Sequence, residues 1–83
     1  MQLSKKNILY YHNIEKELEN ASKKYMEGKN LTEKIIVTAD TLKKNGLFDS
    51  ECNGYVVIDK NFYTPYIKCS EYETNGYLSL LAN

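Results

Sequence analysis

The sequence predicts an α+β fold in which a long N-terminal amphipathic helix packs on a small antiparallel sheet built around one β-hairpin. Three observations carry that prediction. Apolar residues recur at alternating spacings of three and four through the first third of the chain. Two β-rich runs between Gly54 and Ile67 flank a short polar turn. Two cysteines, Cys52 and Cys69, stand at equal distances from the centre of that turn. The chain has 83 residues, enough for a single domain with one core, near the size where burial alone gives marginal stability. Cores this small often need a covalent or metal staple.

The elements follow in order. Ser4 can cap a helix that begins at Lys5 and runs to about residue 27. Tyr11, Ile14, Leu18, Ala21 and Tyr25 form its apolar stripe, which Ile8 widens at the start. Lys16, Glu19, Asn20, Lys23 and Glu27 occupy the opposite side, where Glu19 and Lys23 make a favourable i,i+4 pair. Lys23 and Lys24 also sit at the negative end of the helix dipole, and Gly28 suits the position just past the last turn. Such a helix spans about 35 Å. Its apolar pattern covers only about two heptads, too few to argue for a coiled coil, so the stripe is read as core surface.

Residues 28–48 form a connection and a short helix. Ile35-Ile36-Val37 is a β-branched run, read as extended. Thr38 then caps a brief helix over Ala39 to Asn45 that stops at Gly46, with Leu42, Leu47 and Phe48 as anchors. A single helix from Thr32 to Asn45 is the alternative, because Ile35, Ala39 and Leu42 share a face.

Residues 52–69 are the most informative stretch. Gly54 to Ile58 and Phe62 to Ile67 read as strands, with Asp59-Lys60-Asn61 as turn material. A loop centred on Lys60-Asn61 pairs residues whose numbers sum to 121, and Cys52 and Cys69 satisfy that sum. In this register Val56:Pro65 and Cys52:Cys69 both fall at pairs that exchange no ladder hydrogen bonds. Proline has no N–H to offer, so it is tolerated there on a free edge. Cysteines at such a pair lie within reach of a disulfide. The alternative is two unpaired core thiols in a cytosolic protein.

The same parity sorts the faces. Cys52, Val56, Ile58, Tyr63, Pro65, Ile67 and Cys69 turn toward the helix, and Asn53, Tyr55, Val57, Asp59, Phe62, Thr64, Tyr66 and Lys68 turn away. Tyr55, Phe62 and Tyr66 on the second face have two readings: a half-covered sheet face, or a contact surface of the kind aromatic residues favour. Residues 70–83 contain Asn75-Gly76, a hairpin-turn dipeptide, and Tyr77 to Leu81 could return as a third strand beside Ser70 to Thr74.

Composition narrows the function. Eleven basic and eleven acidic residues cancel, and every basic one is Lys, which disfavours a nucleic-acid partner. Two Cys and one His, His12, are too few for a structural zinc site. No metal or cofactor is expected. No run of about 18 apolar residues spans a membrane, and residues 1–20 show no apolar signal-peptide core. Catalysis needs converging ionisable groups. His12 stands alone on the helix flank, the acidic residues scatter over polar faces, and Gly28, Gly46, Gly54 and Gly76 are isolated rather than gathered in a phosphate loop. No catalytic residue is assigned, and a protein partner of unidentified kind is expected.

One tract supports a more specific comparison. Thr41-Leu42, Asn45-Gly46-Leu47-Phe48, Cys52-x-Gly54-Tyr55-Val56-x-Ile58 and Tyr66-Ile67-Lys68-Cys69-x-x-Tyr72-x-Thr74-x-Gly76-Tyr77 resemble the C-terminal half of exported, pilin-like proteins of low-GC Gram-positive bacteria. The upstream helix, with Tyr10-Tyr11 and its Glu- and Lys-rich face, is similar to the soluble part of a pilin's long first helix. The resemblance implies a pilin-like, non-catalytic extracytoplasmic structural or adhesion module at the cell surface. It also implies a structural disulfide between Cys52 and Cys69, and membrane contact only through an apolar segment that this chain does not contain. The competing expectation is a small cytosolic interaction or regulatory protein with free thiols.

Overall fold

The computed structural model describes residues 5–30 and 33–81. Helix α1 (Lys5–Tyr25) is followed by strand β1 (Ile35–Thr38), helix α2 (Ala39–Lys44), strands β2 (Asn53–Asp59) and β3 (Phe62–Lys68), and a single 3₁₀ turn, Ser79–Leu81. The three strands form one antiparallel sheet in the order β1-β2-β3. The α+β architecture is therefore that of a long helix on a small antiparallel sheet.

Helix α1 forms for the reasons its sequence offers. Ile14, Leu18 and Ala21 are buried and Tyr11 and Tyr25 pack partly against the core. Lys23 bridges Glu19 at 3.0 Å on the outer side, where it favours the helix only modestly. The buried face also includes Ser22, whose hydroxyl donates to the Glu19 carbonyl at 2.7 Å, so its burial leaves no polar atom unpaired. The regular helix ends at Tyr25, two residues before the predicted end, and Met26 turns back into the core. The expected cap at Ser4 lies outside the described residues.

Helix α2 is capped by Thr38, which adopts extended backbone and accepts from the Thr41 N–H at 3.2 Å, satisfying one of the donors a helix start leaves over. Gly46 follows with φ +71° and ends it. Extended structure before Thr38 wins over the longer-helix alternative. Ile35, Ile36 and Val37 pair with Ile58, Val57 and Val56, a use that suits β-branched side chains better than a helix does.

The hairpin keeps the predicted register. Pairs run from Asn53:Lys68 through Val56:Pro65 to Asp59:Phe62, leaving Lys60-Asn61 as a two-residue loop. Lys60 takes φ +58°, the positive value that tight hairpin turns need at their first central position. One step beyond the strands, Cys52 and Cys69 are joined by a disulfide with Cα atoms 4.5 Å apart, the spacing of a pair without ladder hydrogen bonds.

The third strand corrects the sequence reading. It is β1, added to the far side of β2, and not Tyr77 to Leu81. After Cys69 the chain reverses over Ser70 and Glu71, the Cys69 N–H donating to the Tyr72 carbonyl at 2.7 Å. Glu73 then bridges Lys68, and Thr74 donates its N–H to the Ile67 carbonyl. Only these two residues run beside β3 before Asn75-Gly76 turns the chain away. Leu78 and Leu80 stay exposed, so the last segment offers no alternating pattern that a strand could bury.

The core lies between α1, α2 and the inner sheet face. Val37, Val56, Ile58 and Ile67 from the strands meet Ile14, Leu18 and Ala21 from α1 and Ala39 and Leu42 from α2, with Phe48 and Cys52 closing one end. Burying a large aliphatic side chain in such a site contributes about 1.5–3 kcal/mol.

Candidate functional site

Two features organise the polar chemistry of the molecule, and both gather at the end of the hairpin that carries the cysteines. The first is the disulfide. Cys52 is buried in the core and Cys69 packs against it. The backbone around the bridge is saturated: the Cys52 N–H donates to Ser50 Oγ at 3.1 Å, and its carbonyl accepts from Lys43 Nζ at 2.8 Å. Cys52 and Cys69, singled out from the sequence, are thus brought together.

The second feature is a carboxylate clamp that the sequence reading missed. Glu15 stands on α1 beside the apolar stripe, and the reversal after Cys69 brings Tyr72 and Thr74 to it from 57 and 59 residues away. Tyr72 Oη donates to Glu15 Oε2 at 2.8 Å, Thr74 Oγ1 donates to the same oxygen at 2.5 Å, and His12 Nδ1 lies 2.9 Å from Oε1. The Tyr72 ring stacks on Tyr11, with centroids 4.7 Å apart and planes within 6°. Thr74 Oγ1 also accepts from the Ile67 N–H at 2.9 Å, so one threonine links the sheet, the returning segment and the helix.

The electrostatics follow from this geometry. Burial alone pushes the Glu15 carboxyl up, but the hydrogen bonds from Thr74, His12 and Tyr72 outweigh it and hold the group below its ordinary value. Burial first, and then the bond to Glu15, push the Tyr72 phenol up to about 12. A carboxylate with its lone pairs occupied and a phenol that keeps its proton are poor general acids and bases near neutrality. The cluster is suited to fastening one segment to another. Among the described residues no group of three or more His, Cys, Asp or Glu side chains could hold a metal ion.

The aromatic residues anticipated as a contact surface separate. Tyr55 is only 1 % exposed, a correction to its assignment as a contact residue. Tyr66 stacks on it at 5.0 Å, Tyr77 packs on it at 5.5 Å, and its hydroxyl accepts from the Leu78 N–H at 2.9 Å. The C-terminal segment, which the sequence reading placed elsewhere, covers that end of the outer face. Tyr66 is half-buried in the same cluster, and Phe62 at the hairpin tip is 75 % exposed.

Glu15 left a faint trace in the sequence. Tyr11, Glu15, Leu18, Ser22 and Tyr25 have the same three-and-four spacing as the apolar stripe, so Glu15 and Ser22 fall on its border. What they meet there depends on a reversal that local sequence does not specify. No protein-family model, curated protein or solved structure matches this chain.

Proposed function

We propose that this chain is a non-catalytic extracytoplasmic module with a structural or adhesive role at a cell surface, of the pilin-like kind that its cysteine-framed tract resembles. The observation that carries the reading is the Cys52–Cys69 bridge, formed across the hairpin from half-buried and buried positions. Disulfides form and persist in oxidising compartments and are rare where thiols are kept reduced. The clamp supports the same reading, because Glu15, Tyr72 and Thr74 use their polar atoms on one another and leave no reactive group poised.

The test is a thiol count on protein recovered from an oxidising compartment without reductant, paired with thermal melts. The expected result is no titratable thiol and, on reduction, a loss of about 2 kcal/mol, which lowers the melting temperature by about 10 °C in a domain this size. Two readily titrated thiols and a melt indifferent to reductant would overturn the proposal in favour of an intracellular interaction protein.

A further inference from the structure

The two edges of the sheet are guarded unequally. On β3, alternation along the ladder points the backbone polar groups of Tyr63, Pro65 and Ile67 away from β2. Pro65 removes one outward N–H, and Thr74 occupies both outward groups of Ile67, donating its N–H to the carbonyl and accepting at Oγ1. Proline and a covering segment are common ways of blunting an edge. Among the described residues, strand β1 has neither. Its residues are Ile35-Ile36-Val37-Thr38, without proline or charge, and among the described residues it is bonded to β2 alone.

The groups left over on β1 can be counted. Val56 turns its ladder groups from β3 toward β1, so Val37:Val56 and Ile35:Ile58 exchange hydrogen bonds, while Ile36 and Thr38 point outward. The outward donors are the Lys34, Ile36 and Thr38 N–H groups. The outward acceptors are the Ile36 and Lys34 carbonyls, because a helix start engages the Thr38 carbonyl. None of these has a backbone partner among the described residues.

We propose that β1 pairs with β1 of a second copy of this chain, antiparallel about a two-fold axis at Ile36, giving a six-stranded sheet. The occupant is another copy because the edge is complementary to itself. Centred on Ile36, the pairing sets Ile36 opposite Ile36 and Thr38 opposite Lys34. Each copy donates the Ile36 and Thr38 N–H groups and accepts at the Ile36 and Lys34 carbonyls, and the Lys34 N–H alone is left to solvent beside the Thr38 carbonyl that α2 engages. The outer-face row Ile36, Val57 and Thr64 then continues across the axis, and Ile36, 40 % exposed in one copy, meets its equivalent. Isologous two-fold contacts of this kind are the commonest form of self-association. A four-residue strand covers less than the ~800 Å² per partner of a standard interface, so the association is weak and visible only at high concentration. The pairing does not depend on the disulfide or on the compartment.

The experiment is sedimentation and amide hydrogen exchange on the oxidised full chain between about 10 μM and 1 mM. The expected mass rises from 9.6 kDa toward twice that value, and the Ile36 and Thr38 amides become protected as it rises. Ile36→Pro removes an N–H that the fold itself does not use, so it should keep the melt of the parent and abolish the dimer. Ile36→Lys should do the same by placing charge at the axis. Thr64→Lys, on the same face but away from the edge, should leave association intact. A chain that stays monomeric at about 1 mM, a dimer that survives Ile36→Pro, or one dispersed by Thr64→Lys overturns edge pairing.

Discussion

Tyr55 and Glu15 take opposite kinds of partner from the C-terminal segment, one aromatic and one polar. Tyr55 lies on the outer face of β2 by the period-two rule, and its burial depends on Tyr66, Tyr77 and the Leu78 N–H. Nothing near residue 55 announces that a segment more than 20 positions away will close over it. Glu15 is the reverse case, a charged residue on the border of an apolar stripe whose partners arrive from a chain reversal. Because its carboxyl is held below the ordinary value of 4.5, the stability it contributes is complete above that value and is lost as pH falls through the lower, folded one. Tyr72, raised from 10.0 to about 12, contributes stability that is complete below pH 10 and lost as pH rises toward 12. Melting temperature against pH should therefore show a plateau with an acid and an alkaline shoulder. Glu15→Gln should lower the plateau by about 2 kcal/mol and flatten the acid shoulder, and Tyr72→Phe should flatten the alkaline one. Unchanged profiles in both variants would show that the clamp contributes nothing.

At the scale of elements, structure is legible wherever local chemistry decides. The hairpin register followed from a turn, a proline and two cysteines that satisfied one parity, and Thr38 marked the junction of β1 and α2 through its capping preference. The identity of the third strand did not follow. β1 pairs across a connection of 14 residues that includes a helix, from Thr38 to Asn53, and Asn75-Gly76 is a turn signal that says nothing of what comes after it. Gly54 illustrates a demand made by pairing alone. A side chain there would press its Cβ into the Tyr66 carbonyl oxygen and the Ile67 backbone of the neighbouring strand, where neither can yield. Gly54→Ala should accordingly cost about 2–3 kcal/mol, checked by chemical denaturation of the oxidised protein. A cost below about 0.5 kcal/mol would mean that the strands separate there at little expense.

The whole molecule measures 42 × 23 × 21 Å, and α1, at 21 residues and about 31 Å, is longer than either short dimension. The core engages this helix from Tyr11 onward, while Leu9 and Tyr10, 61 % and 54 % exposed, stand clear of it. Overall architecture was legible because a long amphipathic stripe and a hairpin have few ways to bury their apolar faces in a chain this short. The arrangement of the last dozen residues was not, because it rests on contacts with α1 and β2 rather than on a pattern of its own. That division predicts how the molecule loosens. With the bridge reduced, the loss of about 2 kcal/mol speeds global exchange about thirtyfold, and amides of residues 69–81 should accelerate at least tenfold more than those of β1, β2 and the middle of α1, because sub-global opening follows local burial and hydrogen bonding. Uniform acceleration across the chain would instead mark the bridge as a support for the entire core.

The position of the two sulfurs also determines how the domain answers a mechanical load. They close the open end of the hairpin, with a sequence separation of 17 residues. Tension applied between the two termini crosses from residue 52 to residue 69 through the covalent link and never reaches the Lys60-Asn61 bend. About 60 Å of contour length is withheld from extension, so a stretched molecule can pay out its helix and its C-terminal segment but not its hairpin.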